Sequence, residues 1–278
     1  MTTQNRTFLP VVQEVIDEFI PICHQLAAGR GKYAISIGGS LGKGTWDGRS
    51  DIDFRLFHEL ELPWLDREPE RWQDYLRAIE RWGQRGVRID GVWTRQISQI
   101  DAALQRWLEG TVAPQDMIWT IWGYHLLTDL YNQFVIEDPF NVIADWKAKL
   151  RVYPPVLKRA IIARHLESMR YWRRDYHYAS KVERGDVVFL ASLSARLVHD
   201  LMQVLFALNE IYYVGDGNNL GYVERFAIKP ANLEARVRAA LYPRLSPEAP
   251  LGNVLQEQYQ ALSSLIDEVE ALAAYQAR

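Results

Sequence analysis

The chain has 278 residues, of which 48% are hydrophobic and 24% charged, and it carries a formal net charge of −3. Its length suits one large folded domain or two smaller ones, and its composition excludes a long disordered or collagen-like chain. No stretch approaches the roughly 18 uninterrupted apolar residues of a membrane helix, and the first residues lack a secretory signal pattern. The slight acidity argues against binding of duplex DNA.

The cysteine and histidine content argues against a disulfide and against a zinc site. Cys23 is the only cysteine, so no internal disulfide can form, which favours the reducing cytoplasm. It lies in an apolar, helix-like stretch and is interpreted as a packing residue. The six histidines include no pair at the short spacing of about three to five residues that zinc sites use. His199 beside Asp200, in an apolar helix, predicts a buried polar pair.

The first hundred residues alternate between helical and strand patterns. Apolar residues recur at helical spacing in the first and fourth segments, and strand-like runs fill the other three. In chain order, we predict a helix at 8–28, strands at 33–37 and 51–57, a helix at 67–83 and a strand at 87–93.

After about residue 115 the chain shows long helical patterns and few strand signals, with predicted helices at 156–180, 187–211 and 253–276. The sequence therefore predicts an α+β protein. A small mixed-sheet domain is expected over residues 1–112, followed by a helical-bundle domain over residues 113–278.

A glycine-rich turn follows the first predicted strand. Gly38 and Gly39 let backbone N–H groups approach a phosphate without interference from a Cβ atom. Ser40 adds a hydroxyl donor to this turn, and Lys43 adds a positive charge. This composition is typical of a turn that binds a nucleotide phosphate.

Two aspartates begin the next predicted strand. Asp51 and Asp53 share one face because side chains alternate along a strand, so they repel each other unless a cation lies between them. Carboxylates on a rigid element suit Mg²⁺ together with substrate phosphates. If the strand containing Asp90 lies beside them, three carboxylates converge and can hold two Mg²⁺ ions for nucleotidyl transfer. A solvated hairpin with surface aspartates is the alternative, and for Asp90 it is an exposed residue at a strand end.

The same segment resembles the DNA polymerase β-type nucleotidyltransferase superfamily. Its hallmark is Gly-Ser, about ten residues, and Asp-x-Asp on the following strand, as in Gly39-Ser40 and Asp51-Ile52-Asp53. Within the superfamily it is most similar to the kanamycin nucleotidyltransferases, through Lys43, the turn around Asp47 and Ser50. The resemblance implies that Gly38, Gly39, Ser40, Lys43 and Ser50 bind the nucleotide and that Asp51, Asp53 and Asp90 hold Mg²⁺.

The resemblance extends loosely to the helical half. In the kanamycin enzymes a glutamate on a helix of the second domain is the general base, followed five residues later by Trp and then Arg. Glu167, Trp172 and Arg173 have the same order, so the resemblance implies that Glu167 is the base. The alternative is a surface glutamate that pairs with Arg164 or Arg170 one helical turn away.

The resemblance implies Mg²⁺-dependent transfer of a nucleoside monophosphate, AMP from ATP or another NTP, to a hydroxyl of a small molecule, with release of pyrophosphate. Aminoglycoside- or lincosamide-like antibiotics are the acceptors that it suggests, and relatives that build sites across subunits suggest a homodimer. Transfer to tRNA or to a protein side chain is the alternative enzyme function. A catalytically silent nucleotide-binding module is the alternative outside enzymology.

Overall fold

The computed structural model describes residues 8–27, 31–60, 69–111, 125–215, 217, 219–242 and 250–276. Contacts between residues divide the chain into two compact units, and each unit draws on two separate segments. The first unit comprises Met1–Gln105 and Leu126–Val152, and the second comprises Arg106–His125 and Tyr153–Arg278. The predicted domain boundary at residue 112 falls on 112–124, outside the described residues.

The first unit contains a small mixed sheet with helices packed on it. Its elements are α1 (Pro10–Ala27), β1 (Tyr33–Ile37), α2 (Gly39–Lys43), β2 (Ile52–His58), a 3₁₀ turn (Pro69–Trp72), α3 (Gln73–Gln84), β3 (Ile89–Gln96), α4 (Ile97–Leu108), α5 (Leu126–Asn132), β4 (Phe134–Glu137) and α6 (Val142–Leu150). The end of α4, from Arg106 onward, belongs to the second unit. The strand order is β3-β2-β1-β4, with β2 and β3 parallel and the other pairs antiparallel. Sheet and helices together confirm the α+β class.

Apolar faces of the predicted helices and strands form the core of the first unit. Phe19 of α1 stacks on Phe54 of β2 with ring centroids 4.7 Å apart. Cys23 is buried in the same core, and burial raises the pKa of its thiol to about 12. The thiol is therefore protonated at neutral pH, which agrees with its interpretation as a packing residue. The strand predicted at 33–37 is confirmed, and the other two strands lie within three residues of their predicted bounds.

Two elements of the first unit differ from the expectations. Of the helix predicted at 67–83, residues 67–68 lie outside the described residues, Pro69–Trp72 form a 3₁₀ turn, and the α-helix starts at Gln73. β4 was not predicted, because its four residues are too few to show a strand period. It pairs with β1 from Ile37↔Phe134 onward, so the sheet is completed by a strand that follows the predicted boundary in sequence.

The regular elements described in the second unit are all helices. It contains α7 (Pro155–Arg174), α8 (Tyr176–Arg184), α9 (Val187–Leu208), α10 (Asn219–Val223), α11 (Leu233–Leu241) and α12 (Leu251–Gln276). The helix predicted at 156–180 is divided at Asp175, whose backbone is extended and whose carboxylate accepts the His177 N–H at 2.7 Å. This carboxylate caps α8 and satisfies one of its first N–H groups.

Helix α9 is the central core helix of the second unit. Among the described residues it is the one helix long and apolar enough to cross a membrane, yet 61% of its most apolar window is buried inside the protein. This burial is typical of a core helix.

A polar cluster is buried between α7 and α9. Asp200 accepts a 2.7 Å hydrogen bond from Nδ1 of His165. The sequence predicts a pair with the adjacent His199, but the imidazole closest to Asp200 is that of His165. The reason is helix geometry, since successive residues point in different directions. Burial lowers the pKa of His125 to about 4 and that of His199 to about 3, so both imidazoles are neutral at pH 7.

Candidate active site

The parallel pairing of β2 and β3 brings three aspartates to one region of the sheet. Asp53 lies opposite Gly91, whereas Ile52 lies opposite Ile89, so the register shift leaves Asp90 as the extra residue of a bulge. Asp51 immediately precedes β2. The strand of Asp90 therefore lies beside the strand of Asp53, as the sequence predicts.

Asp53 is largely buried, with 14% of its side chain exposed, whereas Asp90 is exposed. The pKa of Asp53 is raised to about 6. Burial is the largest cause, the Arg55 guanidinium opposes it, and the charges of Asp51, Asp90 and Asp129 add to the rise. Burial and the charge of Asp51 likewise raise the pKa of Asp90, against Arg55 and a hydrogen bond from Trp93. Asp51 and Asp90 thus make ionisation of Asp53 more costly, and Asp51 does the same to Asp90.

The glycine turn makes room for these side chains. Gly39 has a φ of +54°, and a Cβ atom there would lie 1.8 Å from Oδ2 of Asp53. The N–H of Gly38 donates to the Asp53 carbonyl at 2.9 Å. A Cβ on Gly38 would also lie 2.7 Å from Oδ1 of Asp129. Besides any contact with phosphate, the two glycines are needed for the close approach of two carboxylates.

The predicted nucleotide-binding side chains have different surroundings. The hydroxyl of Ser40, at the start of α2, is buried and has no hydrogen-bond partner among the described residues. Lys43 ends the same helix and is partly exposed. The hydroxyl of Ser50 instead donates to Oδ1 of Asp47 at 2.9 Å, which also accepts the Arg49 and Ser50 N–H groups. Ser50 therefore stabilises the turn that leads into β2.

A buried arginine beside Asp53 escaped the sequence analysis. Arg55 is 5% exposed; its Nε donates to Oδ2 of Asp129 at 3.2 Å, and its Nη2 lies 3.5 Å from Oδ1 of Asp53. Its Cζ lies 5.0 Å from the centroid of the Trp93 ring. Arg55 continues the alternation of Asp51 and Asp53 on β2, a signal that could have found it. Asp129 comes from α5 and has no such signal.

The donor set of the three aspartates fits Mg²⁺. All the donors are carboxylate oxygens on adjacent strands, the type of ligand that this ion prefers. The carboxylates repel one another, and a divalent cation would relieve this repulsion. The carboxylate oxygens of these three aspartates do not all lie within 4.8 Å of one another. Among the described residues, one other group of ligand-type side chains is that compact.

Glu167 lies on α7 in the second compact unit, whereas the three aspartates lie in the first. Its side chain is exposed and lines a surface pocket of about 670 Å³ with Arg170, Tyr171, Arg174 and Asp175. The Nε of Arg170 donates to Glu270 at 2.7 Å, so the ion pair of this arginine is with α12. The structure thus brings the aspartates to one region of the first unit and places Glu167 in a surface pocket of the second unit, among two arginines and a second acidic residue.

Comparisons with known proteins give limited matches. Residues 119–216 match a family described as a domain of unknown function, DUF4037. This segment includes Asp129 and Glu167 but none of the three aspartates of β2 and β3. No curated protein matches the chain significantly.

A solved structure with an overall likeness is a nucleotidyltransferase-like protein from Exiguobacterium sibiricum 255-15. It is 11% identical, with a TM-score of 0.46, over 90% of this chain and 74% of that one.

Proposed function

We propose that this protein is a Mg²⁺-dependent nucleotidyltransferase that transfers AMP from ATP to a hydroxyl group of a small molecule in the cytoplasm. A bond forms between the hydroxyl oxygen and the α-phosphorus, the α–β anhydride bond breaks, and pyrophosphate leaves. The observation that carries the proposal is the pairing of β2 with β3, which brings Asp51, Asp53 and Asp90 to one region of the sheet. Gly39 lies beside them, where a Cβ atom would collide with the Asp53 carboxylate. The Gly-Ser and Asp-x-Asp spacing supports it.

Asp51, Asp53 and Asp90 are the residues that would hold Mg²⁺. When bound, the ion neutralises charge on the triphosphate and lowers the pKa of the attacking hydroxyl. Ser40 offers a phosphate oxygen its hydroxyl, which has no partner among the described residues, and Lys43 offers a positive charge. Arg55 acts as a positioning residue, because its guanidinium lies between Asp53 and Asp129 and fixes the buried carboxylate.

We propose that the acceptor is a polyhydroxylated, cationic molecule of the aminoglycoside type. The net charge of −3 favours a cationic acceptor over RNA. Glu167 remains our candidate for the base that accepts the hydroxyl proton, on the strength of its order with Trp172 and Arg173.

Calorimetric titration of Mg²⁺ with a non-hydrolysable ATP analogue tests the nucleotide site. We expect metal-dependent binding by the wild type and its loss in Asp51→Asn/Asp53→Asn. The matched control is Asp74→Asn/Asp145→Asn, which changes the same charge at two exposed positions of the first unit and should bind as wild type does. Unchanged binding by the Asp51→Asn/Asp53→Asn variant would refute the assignment of metal ligands.

Pyrophosphate release against a panel of acceptors then tests the reaction. Release that depends on a small-molecule hydroxyl supports the proposal. Release that requires tRNA or a protein would replace the acceptor class. Binding without release under any acceptor would indicate a silent nucleotide-binding module.

Substitution of Glu167 by glutamine tests the base. Loss of a general base costs about 10²–10⁴-fold in rate. We expect kcat to fall within this range while the affinity for the ATP analogue stays unchanged. An unaltered kcat would transfer the role to Asp90 or to a metal-bound water.

A further inference from the structure

A second group of ligand-type side chains lies buried in the helical unit, outside the proposed nucleotide site. His165 of α7 and His199 and Asp200 of α9 each place one donor atom within 4.8 Å of the others. Their exposed fractions are 6%, 7% and 0%. The imidazole rings of the two histidines have centroids 5.7 Å apart and are nearly perpendicular.

The carboxylate of this group is oriented by hydrogen bonds from both helices. Asp200 accepts from the Ser168 hydroxyl at 2.7 Å and from Nε of Arg196 at 3.2 Å, besides its contact with His165. Such hydrogen bonds fix the ligands of metal sites and raise metal affinity. The Arg196 side chain is 53% exposed, so much of its charge is screened by water.

Polar side chains surround the group, and two of their oxygens have no partner in the described part of the chain. The Nε2 atoms of Gln203 and His125 lie 3.3 Å apart, and the Tyr213 hydroxyl lies 3.5 Å from Nδ1 of His199. Oε1 of Gln203 and Oδ1 of Asn219 are buried without a hydrogen bond to any described residue. Buried polar atoms are nearly always paired, so this surplus marks a place where a polar ligand would be accommodated.

We propose that His165, His199 and Asp200 bind a divalent transition metal of the zinc class. Imidazole nitrogen and carboxylate oxygen are zinc ligands, and three protein ligands with one solvent position form a known zinc coordination. Because the ligands come from α7 and α9, the ion clamps these two core helices together. Oxygen-only Mg²⁺ sites differ from this donor set, so the two sites select different ions.

The histidine spacing hid this group from the sequence. His165 and His199 are 34 positions apart and meet only because α7 and α9 pack against each other along the chain's second unit. A search for closely spaced pairs detects ligands on one element and misses ligands shared by two.

Cobalt titration of the full chain tests the proposal, because tetrahedral Co²⁺ with nitrogen and oxygen ligands gives visible d–d absorption. The titration is made in the Asp51→Asn/Asp53→Asn background, which removes the proposed Mg²⁺ site. We expect one equivalent of Co²⁺ to give this absorption, Zn²⁺ to displace it, and bound metal to raise the Tm. If circular dichroism shows that the protein is folded and Co²⁺ still gives no tetrahedral absorption, the proposal is overturned.

Three further variants assign the ligands. His199→Asn should lose the absorption, and Ser168→Ala should bind about 10–100-fold more weakly. His177→Asn is the matched control, because His177 is an exposed histidine of the same unit that pairs with Asp175. Retention of the full absorption by His199→Asn would refute the site, whether or not the other variants bind.

Discussion

Two largely buried aspartates, one in each compact unit, have pKa shifts in opposite directions. Asp53 has a pKa raised to about 6, because burial and three neighbouring carboxylates outweigh the guanidinium of Arg55. Asp200 also pays for burial, yet hydrogen bonds from His165 and Ser168 and the charge of Arg196 lower its pKa.

The contrast teaches that burial alone does not determine what a carboxylate is for. The carboxylates near Asp53 repel one another, so a bound cation would stabilise that region. Asp200 is ionised and already oriented by donors, so it contributes to the stability of the helical unit before any ligand arrives.

Removal of Arg55 tests the first half of this contrast most severely. Arg55→Met leaves the buried carboxylate of Asp129 without its guanidinium and Asp53 without its nearest positive charge. We expect a loss of about 3–5 kcal/mol in the free energy of unfolding, measured by urea denaturation. Arg77→Met is the control, because its ion pair with Asp74 is exposed and contributes only about 0–1 kcal/mol. Equal losses in both variants would contradict the importance of the buried pair.

Removal of the Asp200 charge tests the second half. With metal chelated, Asp200→Asn should destabilise the protein by about 2–3 kcal/mol at neutral pH, because charge-assisted hydrogen bonds are lost. Asp267→Asn removes an exposed partner of Arg173 and should cost about 0–1 kcal/mol. A stabilising effect of Asp200→Asn would mean that the two aspartates do not differ.

Neutralising Asp53 should stabilise the protein, whereas neutralising Asp200 should destabilise it. Above about pH 6 the folded protein holds an ionised carboxylate that the unfolded chain ionises more readily, and below about pH 4 both states are protonated. Asp53→Asn should therefore be more stable than wild type by about 3 kcal/mol at pH 8 in chelator. The gain should disappear as the pH falls through 6 towards 4, as measured by urea denaturation. A gain that does not vary with pH would contradict the raised pKa.

Three glycine variants separate backbone strain from contact with Asp53. Gly39→Ala and Gly86→Ala both place alanine at a positive φ, which costs about 1–2 kcal/mol, but only position 39 has the carboxylate of Asp53 in the way. Gly48→Ala has neither problem. We expect Gly39→Ala alone to weaken Mg²⁺ binding, by about 10–100-fold. Equal Mg²⁺ affinity in Gly39→Ala and Gly86→Ala would show that Gly39 does not protect the position of Asp53.

The predictable part of the site is the part that is local in sequence. Gly39, Asp51 and Asp53 lie within one strand–turn–strand segment, so their spacing alone indicates a shared face and a turn. Whether they hold Mg²⁺ and a nucleotide stays a prediction.

Long-range packing determines the part that escaped prediction. Asp129 reaches Arg55 from 74 positions away, and β4 is identified as a strand only by pairing with β1. The division of a long helical pattern at Asp175 depends on one capping hydrogen bond, which helical periodicity does not reveal. Cα packing of α7 on α9 likewise decides which histidines meet.

The pairing of β1 with β4 has a consequence for synthesis on the ribosome. Ile37 pairs with Phe134, so roughly a hundred residues must be made after Ile37 before the sheet is complete. At about 5–20 residues per second this delay lasts about 5–20 s. Throughout that time the unpaired edge of β1 is open to pairing with another chain, and Asp129 has not yet arrived to neutralise Arg55. A nascent chain of this protein therefore exposes one strand edge until β4 has been made, and a chain that ended near residue 112 would lack the strand that covers this edge.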